Sequence, residues 1–115
     1  METDKQEKNQ DKHNLLVVDD EAVIREGMRR ILADQGYHVE TSASGRTAIE
    51  IIQEQDFDVV ITDLKMPGMD GIEVLKTIRI LQPEVPVIII TGYSTVDTAV
   101  EAMKNGAFDY IAKPF

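Results

Sequence analysis

Residues 15–21, LLVVDDE, place four apolar side chains directly before three acids. A short apolar run of this kind is typical of a buried strand. Like charges repel, and burial disfavours the ionised form of a carboxyl group, so crowded acids at the end of such a strand cost free energy. Their presence indicates that a positively charged partner, such as a metal cation, sits among them.

Four further apolar runs follow, and amphipathic stretches separate them. The predicted strands cover 15–18, 37–41, 59–62, 87–91 and 109–112. Three of them consist almost entirely of Val, Ile and Leu, which favours strands that are buried on both faces. Strands that alternate with helices predict an α/β fold, in which right-handed crossovers place helices on both faces of a doubly wound parallel sheet.

The four helical patterns carry start and stop signals. Ser44, Asp70 and Thr95 are predicted to cap the second, third and fourth helices, while Gly36 and Gly106 end the first and the fourth. The apolar positions predicted to face the core are Ile24, Met28, Ile31 and Leu32 in the first helix, Ala48, Ile51 and Ile52 in the second, Val74, Leu75 and Ile78 in the third, and Val96, Ala99, Val100 and Met103 in the fourth.

Length and composition narrow the classes of protein to consider. The chain has 115 residues, which fits one domain, and its net charge of −9 disfavours direct binding of nucleic acid by this domain. It has no cysteine, its N-terminal residues 1–14 contain no apolar core for a secretion signal, and no apolar run is long enough for a membrane span. We therefore expect a cytoplasmic domain over 13–115, preceded by a disordered tail over 1–12.

In a parallel α/β sheet, ligands bind beyond the carboxyl ends of the strands. Asp19 and Asp20 follow the first predicted strand, Asp63 follows the third, Thr91 ends the fourth and Lys113 follows the fifth. Clustered carboxylates suit a magnesium ion, Mg²⁺. One carboxylate could then act as a nucleophile toward phosphorus, while a cation and Lys113 neutralise the transferred group.

Over residues 14–115 the chain resembles the receiver domain of bacterial response regulators. The acidic pair after strand one, Asp63 followed by MPGMDG, Thr91, and the Lys113–Pro114 pair carry the resemblance. The stretch TGYSTVDTAVEAMKNGAFDYIAKPF looks most like receivers of nitrogen-regulation-type activators that depend on the alternative sigma factor. The resemblance implies a flavodoxin-like sheet of order 2-1-3-4-5, with the family's fifth helix absent from this chain.

The resemblance also implies roles for the acidic residues. Asp63 would be the phosphoacceptor. Asp20, Asp63 and the backbone carbonyl of Lys65 would bind Mg²⁺ directly, whereas Asp19 would act through water. A simpler alternative is that Asp20 or Glu21 only caps the first helix.

Two further roles concern the phosphoryl group and the switch. By the same resemblance, Thr91 and Lys113 would bind the phosphoryl oxygens, and Tyr110 would be the switch aromatic that responds to Thr91. The chain would then be a phosphorylation-dependent switch in transcription regulation, without turnover beyond its own phosphorylation and dephosphorylation.

The implied partners are a sensor histidine kinase and an output domain beyond Phe115. We also expect self-association, because strands that lack the fifth helix would expose apolar surface.

Two enzymes on a similar architecture are the alternatives. A nucleotide-binding oxidoreductase needs Gly-x-Gly-x-x-Gly after the first strand, where this chain has DDEAVIR. A Mg²⁺-dependent aspartyl-phosphate phosphatase resembles the proposed chemistry more closely. In that family, however, the nucleophile opens an Asp-x-Asp pair after the first strand, whereas Asp63 follows the third.

Overall fold

The computed structural model describes residues 12–113. The predicted disordered tail over 1–12 therefore lies outside the described residues, apart from Lys12. Any helix after Phe115 also lies outside them.

Strands and helices alternate along the described residues. The five strands are β1 (Asn14–Val18), β2 (His38–Ser42), β3 (Val59–Asp63), β4 (Val87–Thr91) and β5 (Asp109–Ala112). The four helices are α1 (Ala22–Asp34), α2 (Gly45–Glu54), α3 (Gly71–Leu81) and α4 (Val96–Lys104). Each predicted strand lies within one residue of its observed bounds at either end.

All strand pairs are parallel, and their order is β2-β1-β3-β4-β5. The predicted α/β fold and strand order are therefore confirmed. The order places β1 between β2 and β3 and leaves β5 at an edge. Because the chain reverses direction across the sheet at β1, the carboxyl ends of β1 and β3 adjoin at the switch point where such folds bind ligands.

One face of the sheet carries the main core. Alternate side chains of the central strands pack there against the buried sides of α2, α3 and α4. The strand residues in this cluster are Leu16, Val18, Val60, Val87 and Ile89. The predicted inward positions of α3, Val74, Leu75 and Ile78, are completely buried in the same cluster.

The predicted caps form as side-chain hydrogen bonds. The hydroxyl of Ser44 accepts from the N–H of Thr47, and Asp70 and Glu73 form a capping box. Thr95 forms a second box with Thr98. Each box satisfies backbone N–H groups that have no partner inside the helix, so it fixes where the helix begins.

The predicted core face of α4 is wrong. Val96 is 79% exposed, and Val100 and Met103 are also exposed, whereas Ala102 is fully buried. The helix rests on the sheet through small side chains, so the larger apolar groups point outward. The spacing of apolar residues in the sequence did not show which face of α4 contacts the sheet.

α1 covers only part of the opposite sheet face. It packs on β1 and β2, and Ile31, which was predicted to face inward, is 63% exposed. An open groove of about 480 Å³ lies beside the helix. Its walls include Leu15, Leu32, Ile61 and Ile88. Within the described residues, the sheet on this side is therefore less well covered than on the other.

Candidate functional site

Polar side chains from four strands lie together at the carboxyl-terminal end of the sheet. Asp19 follows β1, Asp63 ends β3, Thr91 ends β4 and Lys113 follows β5. The parallel registers, which pair Val18 with Thr62, Asp63 with Ile90 and Thr91 with Ala112, keep these strand ends level. Residues that are distant in sequence thereby meet at the predicted location.

Lys113 lies between two buried carboxylates. Its Nζ is 3.3 Å from Oδ2 of Asp19 and 3.7 Å from Oδ2 of Asp63. Asp19 is 3% exposed and Asp63 is 5% exposed. Buried charges need such partners because they have lost their hydration. The ammonium group is thus placed to neutralise negative charge at this edge.

Hydrogen bonds hold Asp19 and the loop after it. Oδ1 of Asp19 accepts from the N–H of Glu21 at 2.9 Å, and the Asp19 N–H donates to the carbonyl of Ser42 at 3.1 Å. Nη1 of Arg25 donates to the Asp19 carbonyl at 2.8 Å. The position of this carboxylate is consequently set before any ligand binds.

The surroundings of Asp63 disfavour the charged form of its carboxyl group. Oδ1 accepts from the N–H of Leu64 at 2.7 Å. Burial raises the pKa of the Asp63 carboxyl, and the negative charge of Asp19 adds to the rise, whereas Lys113 opposes it. A carboxylate whose charge is disfavoured in this way gains from a nearby cation.

The acidic cluster comprises Asp19, Asp20, Glu21 and Asp63. One carboxylate oxygen from each lies within 4.8 Å of the others. Asp19 and Asp63 form its buried floor, while Asp20 and Glu21 are exposed at its rim. A set of carboxylate oxygens fits a hard divalent cation such as Mg²⁺.

Glu21 was not among the predicted metal ligands, although it directly follows Asp20 in sequence. It occupies the residue before α1, but its side chain makes no capping hydrogen bond. Its carboxylate instead belongs to the acidic cluster. The alternative in which Glu21 only caps the helix is therefore not supported.

The other predicted site residues occupy three different settings. Thr91 is fully buried, and its hydroxyl accepts from the N–H of Tyr93 at 3.0 Å. Lys65 lies in the loop after β3 with an exposed side chain. Tyr110 lies within β5, three residues before Lys113, and is half-buried. It is therefore near the site in the chain but is not part of the acidic cluster.

The loop after Asp63 folds back closely on the strand end. The N–H of Gly71 donates to the carbonyl of Leu64 at 2.9 Å. A Cβ on Gly71 would lie 2.2 Å from the carbonyl oxygen of Asp63. Gly68 has φ of +77°, a conformation that favours glycine. The glycines of MPGMDG therefore shape the backbone beside the acidic cluster.

A membrane-spanning role finds no support in the helices between residues 12 and 113, since none has the length and apolar character that a bilayer crossing requires.

Known proteins are similar to this chain in architecture and in sequence. The profile of the response regulator receiver domain matches residues 15–115. The transcriptional regulatory protein ZraR of Escherichia coli K12 is 48% identical over 104 residues, which are 90% of this chain and 24% of that protein. The chain thus spans about a quarter of the length of the curated relatives it matches.

Two solved structures are similar in both fold and sequence. The beryllofluoride-activated NtrC4 receiver domain dimer has a TM-score of 0.84 and 42% identity, covering 89% of this chain and 84% of that one. A Burkholderia pseudomallei response regulator with a phosphorylated aspartic acid, calcium ion and citrate has a TM-score of 0.85 and 33% identity, covering 91% and 61%.

The NtrC4 likeness agrees with the predicted resemblance to receivers of the nitrogen-regulation type. The profile match extends over nearly all of the described residues and includes the whole strand-end cluster. The chain belongs to the response regulator receiver domains of two-component signalling, and its relatives include transcriptional regulators.

Proposed function

We propose that Asp63 accepts a phosphoryl group from a partner histidine kinase in the presence of Mg²⁺. The observation that carries the proposal is the position of Lys113, whose Nζ lies within 3.7 Å of carboxylate oxygens of Asp19, which follows β1, and of Asp63, which ends β3. Phosphoryl transfer asks a protein mainly to orient groups and to stabilise charge. An ammonium group beside a buried carboxylate meets both needs.

In the proposed reaction, a P–N bond to the kinase histidine breaks and a P–O bond to the Asp63 carboxylate forms. Lys113 and the hydroxyl of Thr91 bind the transferred oxygens. Thr91 is fully buried at the end of β4, so its hydroxyl would turn toward the phosphoryl group without leaving the strand. The phosphorylated aspartic acid of the Burkholderia relative supports this role for Asp63.

The cation site is proposed to use Asp20, Asp63 and the carbonyl of Lys65 directly, with Asp19 acting through water. When bound, Mg²⁺ would neutralise negative charge on the transferred group. The acidic cluster supports this assignment through the chemistry of its oxygens. The calcium ion in the Burkholderia relative is a divalent cation of the same hard type.

Residues 13–115 are proposed to form the receiver, followed in the natural protein by an output domain that controls transcription. The difference in length between this chain and ZraR supports the second domain. Phosphorylation of Asp63 would shift the receiver between two conformations, through Thr91 and Tyr110, and so change the activity of the output domain.

Intact-mass measurement after incubation with acetyl phosphate and Mg²⁺ tests the acceptor. One phosphoryl group should add to the parent and none to Asp63→Asn, which keeps the shape of the side chain but removes the nucleophile. An equal adduct on Asp63→Asn would assign the acceptor to another residue. Release of phosphate with many turnovers per chain would instead favour the alternative function, a Mg²⁺-dependent aspartyl-phosphate phosphatase.

Titration of Mg²⁺ tests the cation ligands separately. Asp20→Asn should weaken Mg²⁺ binding about tenfold or more, because a ligand charge is lost. Glu54→Gln removes the same charge from the exposed end of α2 and should leave the affinity nearly unchanged. Equal affinities for the parent and Asp20→Asn would remove Asp20 from the site.

A further inference from the structure

A hydrogen bond joins the proposed switch tyrosine to helix α4. The hydroxyl of Tyr110 is 2.8 Å from Oγ1 of Thr98, in the first turn of that helix. Both side chains are half-buried, and the Tyr110 ring packs against the main core. Within residues 12–113, this is the one hydrogen bond found for the Tyr110 hydroxyl.

Thr98 also belongs to the capping box of α4. Its Oγ1 accepts from the N–H of Thr95 at 3.0 Å and is 3.1 Å from the Thr95 carbonyl, to which it can donate. In return, Oγ1 of Thr95 accepts from the N–H of Thr98 at 3.1 Å. The start of the helix thus depends on the hydroxyl that contacts Tyr110.

The Thr98 hydroxyl has more polar contacts than bonding positions. A threonine hydroxyl has one hydrogen to donate and two lone pairs that accept. Four groups lie within 3.1 Å of it: the N–H, carbonyl and hydroxyl of Thr95, and the hydroxyl of Tyr110. Either hydroxyl can donate in the Thr98–Tyr110 bond, which therefore belongs to the same hydrogen-bond network as the capping box.

The same helix start is close in the chain to the proposed phosphoryl ligand. Only residues 92–94 separate Thr91 from Thr95, and the N–H of Tyr93 in that segment donates to the Thr91 hydroxyl. A turn of the Thr91 hydroxyl toward a phosphoryl group would break this bond. The short loop would carry the change directly to the capping box.

We infer that Thr98 is a positioning residue, which ties the Tyr110 side chain to the first turn of α4 so that ring and turn move together. The inference rests on the proposed function for its signalling role, because it adds a second connection between Asp63 chemistry and Tyr110. Displacement of Tyr110 removes one hydrogen bond from the Thr98 hydroxyl, and loosening of the box releases Tyr110.

Amide hydrogen exchange in the unphosphorylated protein tests the bond itself. Tyr110→Phe keeps the ring but removes the hydroxyl that bonds Thr98, so exchange at the amides of Thr98 and Ala99 should rise about 2- to 10-fold. Tyr37→Phe removes a hydroxyl near the groove beside α1 and is the matched control, with no change expected in α4. Unchanged α4 exchange in Tyr110→Phe would overturn the inference.

Substitutions at Thr98 separate positioning from general stability. Thr98→Ser keeps the hydroxyl and should exchange like the parent, whereas Thr98→Val should exchange faster in the first turn of α4. Adding Tyr110→Phe to Thr98→Val should cause no further increase, because the bond is already lost. Additive effects of the two substitutions would overturn the inference.

A phosphorylation experiment connects the bond to signalling. In protein labelled with fluorinated tyrosine, the fluorine resonance of Tyr110 should shift when acetyl phosphate and Mg²⁺ are added to the parent. The amide exchange rates in α4 should change at the same time. In Thr98→Val the two responses should separate; if they remain linked as in the parent, Thr98 does not connect them. Failure of Asp63 to gain a phosphoryl group by mass would refute the proposed function, whereas the unphosphorylated exchange test decides the bond independently.

Discussion

At the scale of single residues, Lys113 is the positively charged partner of two buried acids, Asp19 and Asp63. Lys113 is 17% exposed in its side chain and faces carboxylates that are almost fully buried. Two further acids, Asp20 and Glu21, stand at the exposed rim. The local charge therefore remains negative, and the site should respond strongly both to loss of the lysine and to added cations.

Replacement of Lys113 tests this balance. Lys113→Met should lower the free energy of unfolding by about 3 kcal/mol without metal, because two carboxylates lose their buried partner. Added Mg²⁺ should recover part of the loss. Urea unfolding with and without Mg²⁺ measures both effects, and Lys104→Met, at the exposed end of α4, is the control. Similar losses for the two variants would contradict the proposed charge balance.

The raised pKa of Asp63 makes stability depend on pH. The native carboxyl keeps its proton to a higher pH than the unfolded chain does, since burial and Asp19 disfavour its charge. Between the ordinary aspartate range and the raised native pKa, the native state binds more protons. The contribution of Asp63 to stability therefore falls as the pH rises through that range.

Asp63→Asn removes this titration. Its thermal midpoint in metal-free buffer should exceed that of the parent at pH 7, and the difference should shrink as the pH falls below the ordinary aspartate range. Thermal unfolding from pH 3 to pH 8 measures the trend, with Asp34→Asn at the end of α1 as a control. If the difference in thermal midpoint between Asp63→Asn and the parent grows toward low pH, the predicted direction of the pH dependence is wrong.

At the scale of elements, α3 begins in direct contact with the end of β3. Gly71 opens the helix, and its backbone lies so near the Asp63 carbonyl that a side chain would overlap with it. The capping box of Asp70 and Glu73 fixes the same turn. The position of the proposed acceptor is thus coupled to the start of a helix.

A matched pair of glycine substitutions tests the close approach. Gly71→Ala should destabilise the fold by about 1–3 kcal/mol, because the added methyl group must displace backbone. Gly27→Ala lies in α1 with no atom within 4 Å of the new Cβ, so it should stabilise by about 0.5–1 kcal/mol. Denaturant midpoints for the two variants should move in opposite directions. Equal shifts would argue against a tight turn at Gly71.

The elements differ in how well the sequence predicts them. Strand positions and the caps at Ser44, Asp70 and Thr95 follow from local composition, and all were predicted. The outward face of α4 was not, because its contact with the sheet depends on Ala102 and on neighbours distant in sequence. The Thr98–Tyr110 bond escaped prediction for the same reason, since twelve residues separate its partners. The strand-end site could be predicted because parallel topology brings strand ends together, whatever their separation in sequence.

At the scale of the whole molecule, the two sheet faces are covered unequally. Three helices pack on the main core, whereas α1 on the opposite face leaves the groove beside Ile61 and Ile88 open. Exposed apolar surface of this kind favours association. The solved NtrC4 receiver of similar fold is a dimer.

Extending the chain beyond Phe115 with the fifth helix that the receiver resemblance implies should stabilise the domain. A helix of two or three turns that buries roughly 200 Å² of apolar surface would contribute about 5 kcal/mol at about 25 cal/mol per Å². The chain of residues 1–115 should therefore unfold at lower denaturant concentration and self-associate more. Denaturant unfolding measures the stability of the 1–115 chain and of the extended chain, and light scattering measures their association. Equal unfolding midpoints with both chains monomeric would contradict the prediction.

The ion pair between Lys113 and Asp19 joins residues that lie 94 positions apart. The ribosome makes Asp19 early and Lys113 late, and β5 must pair with β4 before the ammonium group reaches the acids. A nascent chain therefore presents Asp63 without its lysine until the fifth strand has left the exit tunnel and docked. Under the proposed function, Asp63 could therefore accept a phosphoryl group only after β5 has paired with β4, so a kinase would meet a usable acceptor only on receivers whose sheet is complete.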